Sequence, residues 1–245
     1  IIISALTAWF GMNDIASAKA GFKDQAIIFT RKHNWIMCVL YLGTFGSFIG
    51  FAAGFPLLIK SQFPAVDPVK YAFLGPLVGA LVRPLGGWLS DKIKSGAAIT
   101  QIVFIGMIVA VCGVLAFLPT DGQGGSFWGF FACFMALFAL TGLGNGSTFM
   151  QVPVIFLNMH QRFAEQGLVD AEQARLDATK EGAAVIGFTA AFAAYGGFFI
   201  PKSYGTSIAI TGSVNAALIG FIVFYVLCGA LNWWYYARKG AEAKC

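Results

Sequence analysis

Gly75-Pro76-Leu77-Val78-Gly79-Ala80-Leu81-Val82-Arg83-Pro84-Leu85-Gly86-Gly87-Trp88-Leu89-Ser90-Asp91-Lys92 is an apolar run of membrane length with one arginine inside it. On insertion scales an arginine at the centre of a spanning helix costs about 2.5–3.5 kcal/mol, so the charge must face a polar cavity or a partner. The alternative is a structural arginine that snorkels to the interface or caps a carbonyl. Arg83 stands about two turns before Asp91, which leaves that route open. Gly75, Gly79 and Arg83 fall on one side of a helix at i, i+4 and i+8, so the charged side is also the side with least bulk. Pro76 and Pro84 weaken the helical ladder here and free carbonyls that protein or water must satisfy.

The rest of the chain is equally apolar. Of 245 residues, 58% are hydrophobic and 11% charged, and the mean hydropathy is +0.75; soluble domains carry about 25% charged residues. A helix needs about 20 apolar residues to cross a core of about 30 Å. Six such runs are expected, at 35–59, 71–90, 98–118, 127–156, 183–200 (closed by Pro201) and 207–237. The polar stretches between them are too short for a soluble domain with its own core; the longest, 158–182, is expected to be a loop with a short surface helix. The fold class is therefore an all-α polytopic membrane protein. Within it, 1–10 reads as the end of a preceding transmembrane helix, 11–34 as a cytoplasmic linker, 35–237 as a six-helix bundle and 238–245 as a cytoplasmic tail. Residues 1–10 carry no basic n-region and no small-residue cleavage site, so they do not read as a signal peptide, and the chain is expected to be a fragment.

Charge and chemistry-bearing residues exclude several classes. The net charge of +5 is explained by basic residues at membrane flanks, not by a nucleic-acid surface. Twelve lysines and arginines fall on one side of the expected bundle, and Lys60, Lys70 and Lys202 on the other; with Arg83 these are all sixteen. The twelve-charge side is expected to be cytoplasmic. The five cysteines, Cys38, Cys112, Cys133, Cys228 and Cys245, show no paired spacing, and His33 and His160 fall in polar loops. Neither a disulfide framework, a metal site nor a cofactor is expected. With no nucleophile–base pair and no phosphate loop, the chain does not read as an enzyme.

A lone arginine with no acid in the spans calls for an anion. Its planar guanidinium fork matches planar oxyanions, and the expected walls are Tyr41, Phe45 and the glycine-rich fourth and fifth spans. Such walls suit a small, weakly hydrated, planar anion, although aromatics and glycines also serve ordinary helix packing. Proton-coupled carriers usually keep a membrane-embedded acid or histidine. The spans show none, which favours exchange of one anion for another.

Gly87-Trp88-Leu89-Ser90-Asp91-Lys92, followed by Gly96, resembles the Gly-x-Leu-Ala-Asp-Arg loop of the major facilitator superfamily. Three stretches, 41–51, 142–149 and 187–201, resemble the nitrate/nitrite porters of that superfamily (the NarK type), and the last is similar to the family's second nitrate signature. The resemblance covers nearly the whole chain. It implies the C-terminal six-helix half of a twelve-helix carrier in a bacterial inner membrane, C-terminus cytoplasmic, with a place in nitrate assimilation. The partners implied are nitrate and nitrite, the lipid bilayer and an N-terminal six-helix half of the same protein. In the family, the anion lies between two arginines, one from each half. Arg83 matches the C-terminal one, Tyr41 and Phe45 match cavity residues, and Gly187 matches the start of the signature whose backbone lines the pathway. Asn145 lies in the second matching stretch and is taken as a further substrate-binding residue, while Gly87, Asp91 and Lys92 are taken as a conformational loop. The mechanism implied is alternating access with nitrate/nitrite exchange. The alternatives are proton-coupled nitrate symport, a six-helix anion channel and, weakest, a non-transporting subunit that docks a partner.

Overall fold

A computed structural model describes residues 2–12, 21, 25–120 and 124–245. After α1 (Ile2–Gly11), none of whose side chains is buried, six helical stretches are long and apolar enough to cross a membrane. The first joins α2 (Lys32–Tyr41) through a π turn at Leu42–Gly46 to α3 (Ser47–Gln62). A short α4 (Pro68–Tyr71) leads into α5 (Leu74–Ile93), followed by α6 (Gly96–Phe117) and the 39-residue α7 (Phe127–Glu165). The fifth stretch is α8 (Ala171–Ala194), running on as α9 (Gly196–Thr211), and the sixth is α10 (Asn215–Asn232), which ends in a second π turn at Trp233–Ala237. This is an all-α multi-pass membrane protein with the six-helix architecture of one half of a major facilitator fold. Helix starts are set by short polar side chains: Ser95 Oγ accepts from the Ala98 N–H at 3.1 Å, and Ser126 Oγ from the Gly129 N–H at 3.3 Å.

Glycines decide which helices touch. Gly142 of α7 lies against the backbone of Gly79 of α5, Gly146 against the carbonyl of Arg83, and Gly86 against the carbonyl of Leu143. A Cβ at any of the three would collide with backbone, so α5 and α7 cross at a separation only glycine permits. In the same way Gly50 of α3 sits against Gly196 and Ile200, and Gly54 against Tyr204, docking the first span on α9. Between these seams lies an aromatic cluster of Phe51, Phe55, Phe130, Phe134 and Phe138, all fully buried. Phe55 and Phe134 stack at 4.7 Å; each such pair contributes about 0.5–1.5 kcal/mol beyond its area.

Several expected boundaries move. The stretch 158–182 is not a loop: α7 runs on to Glu165 and α8 begins at Ala171, since the 3.6-residue pattern continues through the polar segment. At 39 residues α7 is about 58 Å long, so it extends well past a hydrocarbon core. Pro201 does not close the fifth span. The break falls at Tyr195, where the N–H groups of Phe198 and Phe199 both turn to its carbonyl, and Pro201 lies inside α9. Lys202 is accordingly an exposed helical residue, not a loop residue, and the last span starts at Asn215. His33 and His160, expected in loops, are buried on α2 and α7. Of the expected linker 11–34, residues 13–20 and 22–24 lie outside the described residues.

Candidate functional site

Arg83 lies in α5, one residue before Pro84, and is exposed on the face of the bundle. Its guanidinium carbon stands 5.6 Å from the centroid of the Phe45 ring. Such a cation–ring contact contributes about 0.5–1 kcal/mol at an exposed position. Phe45 stacks on Tyr41 at 5.2 Å with 27° between the planes. The Tyr41 hydroxyl in turn donates to Asn145 Oδ1 at 2.8 Å. Four of the five expected substrate-binding residues thus form one chain of contacts through α5, the α2 segment with its π turn, and α7. The fold explains the convergence: Gly146 lets α7 touch the Arg83 backbone, which brings its neighbour Asn145 beside the same crossing.

Two features mark the site electrostatically. Arg83 forms no ion pair among the described residues. Asn145 is 1% exposed, and its Nδ2 has no hydrogen-bond acceptor among them. An unpaired cation and a buried unused donor are both groups that an oxyanion satisfies. Gly187, the fifth residue, stands apart from this chain of contacts. It lies exposed on α8, and a Cβ there would meet nothing within 4 Å.

The expected conformational loop is corrected. Gly87, Asp91 and Lys92 belong to the last turns of α5, and the connection to α6 is reduced to Lys94 and Ser95. Lys94 makes the turn possible by adopting the left-handed conformation at φ 57°. Lys92 lies over the Trp88 ring at 5.0 Å, and Asp91 is exposed.

Sequence reasoning missed a polar cluster at the other end of the first span. Arg31 donates from Nε to Glu181 Oε2 at 2.8 Å and from Nη2 to Oε1 at 2.7 Å. His160 Nε2 lies 3.3 Å from the same carboxylate. Beside it, Lys32 meets Glu242 of the tail at 2.6 Å, and His33 Nδ1 lies 3.0 Å from the Tyr236 hydroxyl. The Lys32 hydrogen bond holds the Glu242 carboxyl below the usual carboxylate range. The signal for Glu181 was present: with Ala174, Ala178, Val185 and Thr189 it falls on one buried stripe of α8 at spacings of three and four. Glu181 and His160 are thus buried helical residues at the Arg31 end of the bundle, not loop residues.

No family model matches the chain. The nitrate/nitrite transporter NarU of Salmonella typhimurium is 47% identical over 98% of the chain and 51% of its own length. NarU of Escherichia coli is 46% identical over 100% of the chain and 52% of its own length. The probable nitrate/nitrite antiporter NarK2 of Thermus thermophilus is 39% identical over 100% of the chain and 51% of its own length. The chain thus spans about half the length of the curated relatives it matches, and these are named transporters, not enzymes. With this likeness running through all six spans, the chain belongs to the nitrate/nitrite porter family.

Proposed function

We propose that the chain is the C-terminal half of a secondary transporter for nitrate and nitrite, with Arg83 holding the anion opposite an arginine of an N-terminal half. The observation that carries this reading is the unpaired Arg83 itself, backed by Phe45 on an exposed face. Nitrate and nitrite are planar, weakly hydrated and singly charged. They fit a guanidinium fork and the face of a π system better than they fit an ammonium point charge. Asn145 Nδ2 supplies a further donor, and the bare backbone at Gly187 lines the same pathway on the side of the second half.

Alternating access follows from rocking of the two halves about this midplane site. When the site is empty, two facing cations oppose closure, and a bound anion relieves the repulsion, which favours obligatory nitrate/nitrite exchange. Gly87, Asp91 and Lys92 at the end of α5 move with this rocking. The basic end, with Arg31, Lys32, Lys92 and the tail after Ala237, faces the cytoplasm of a bacterial inner membrane. Residues 1–10 end the preceding helix, and 11–34 link the halves. Proton-coupled symport is the second reading, and the buried Glu181–His160 pair is what favours it.

Counterflow in proteoliposomes tests both, using the protein that carries this chain at its natural length. Vesicles are loaded with nitrite and offered external nitrate with the proton gradient collapsed. Nitrate entry that requires internal nitrite and is lost in Arg83→Lys is the expected result. Entry that needs a proton gradient instead supports symport. Passive entry indifferent to both, and unaffected by Arg83→Lys, contradicts a carrier built on this arginine.

A further inference from the structure

Phe45 does not sit on regular α-helix. The first span opens into a single π turn at Leu42–Gly46, at whose end the Ser47 N–H reaches the carbonyl of Leu42. Such turns are rare, occur mostly as single turns inside α-helices and are frequent at functional sites. Support comes from α7 through two buried rungs at the same sequence separation. One is Tyr41 to Asn145 at 2.8 Å, and the other is Thr44 Oγ1 to Thr148 Oγ1 at 3.1 Å.

The second rung belongs to nothing described so far. Thr44 and Thr148 are both wholly buried and, unlike Asn145 Nδ2, have their hydroxyls engaged within the chain, so neither has a donor left for an anion. A threonine hydroxyl has one proton to give. Thr148 gives its own to the Gly144 carbonyl, one turn back in α7. Its oxygen is then free to accept from Thr44, whose proton has the Leu40 carbonyl at 3.3 Å as its other acceptor. The approach depends on Gly144, where a Cβ would lie 2.8 Å from Thr44 Cγ2. Thr44 is in the π turn beside Phe45, so the bond fixes the turn that carries the ring under Arg83.

We propose that Thr44 and Thr148 are positioning residues for the anion site: their hydrogen bond pins the π turn that places Phe45 beneath Arg83. This rests on the reading of Arg83 as the anion-binding group.

The test is nitrate uptake kinetics in the protein at its natural length. Thr148→Val keeps the shape and removes the hydroxyl. It is expected to raise the KM for nitrate about 2- to 10-fold, the range set by one buried hydrogen bond. The maximal rate should move by less than about 2-fold, and Thr148→Ser should restore KM, because positioning needs the hydroxyl and not the methyl group. In a Phe45→Ala background, Thr148→Val should leave KM unchanged, since the ring it positions is gone. Thr44→Val, made from the other side of the rung, should show the same dependence on Phe45. An equal rise in KM with and without the Phe45 ring would overturn the proposal. So would a fall in maximal rate with KM untouched. An Arg83→Lys control separates the two levels. If Arg83→Lys raises KM and Thr148→Val does not, the rung alone is wrong; if Arg83→Lys leaves KM unchanged, the reading of the site falls and takes the rung with it.

Discussion

Arg31 and Arg83 belong to the same bundle and are treated in opposite ways. Arg31, at the start of the first span, is three-quarters buried and held by both oxygens of Glu181, with Phe163 beneath it at 5.6 Å. Its neighbour Lys32 is likewise paired, with Glu242. Arg83 has the ring beneath it but no carboxylate among the described residues. A cation that serves to hold helices together brings its counter-charge within the chain, because an unpaired charge at low dielectric is expensive. On the proposed reading, a cation left without one is matched to a charge that arrives and leaves. Stability should therefore be sensitive at Arg31 and indifferent at Arg83, and affinity for the anion the reverse.

The largest effect should come from breaking the buried pair. Glu181→Ala leaves the Arg31 charge without its partner and should cost about 3–5 kcal/mol of stability, read as a clear drop in unfolding temperature in detergent. Nitrate KM of the fraction that stays folded should be unchanged. The mirror experiment is Arg83→Gln, which should leave the unfolding temperature where it is and weaken nitrate affinity about 10- to 100-fold, the range of one or two charge-assisted hydrogen bonds. If Arg83→Gln destabilises the fold as much as Glu181→Ala does, the contrast between the two arginines is lost.

Smaller changes sharpen the boundary between the regions. Tyr41→Phe removes the hydroxyl that donates to Asn145 Oδ1 while keeping the ring stacked on Phe45. Nitrate affinity should fall by a few-fold, consistent with about 0.5–1.5 kcal/mol. The smallest effect belongs to the half-exposed Lys32–Glu242 pair, worth under about 1 kcal/mol. Lys32 depresses the Glu242 carboxyl, so the contribution is fully present above the ordinary carboxylate range and is lost as pH falls through the depressed value. Unfolding temperatures of wild type and Glu242→Gln should differ slightly at pH 7 and converge as pH falls below the ordinary carboxylate range.

The spans, and the placing of Arg83 inside one of them, were legible because both rest on local chemistry. A run of about 20 apolar residues has few alternatives in a membrane protein, and the spacing of Gly75, Gly79 and Arg83 does not depend on distant packing. Helix ends were less legible. Lys92 and Asp91 look like loop residues by charge, yet they continue α5, because polar side chains suit a helix that has left the hydrocarbon. The same reason hid the start of α8 and placed Glu181 and His160 in a loop that in fact covers only residues 166–170. Arg31 and Glu181 lie 150 residues apart, so their pairing follows only from the packing of α2 on α8. The π turn gave no sequence signal either: Leu42-Gly43-Thr44-Phe45-Gly46 reads as ordinary helix until Thr148 is seen beside it.

The most direct test of the account is calorimetric titration of nitrate into the purified protein at its natural length, alongside Arg83→Lys and Arg31→Lys. Arg83→Lys is expected to weaken nitrate binding at least about 10-fold, while Arg31→Lys, in whatever fraction stays folded, binds as wild type does. Equal nitrate affinity in wild type and Arg83→Lys would contradict it.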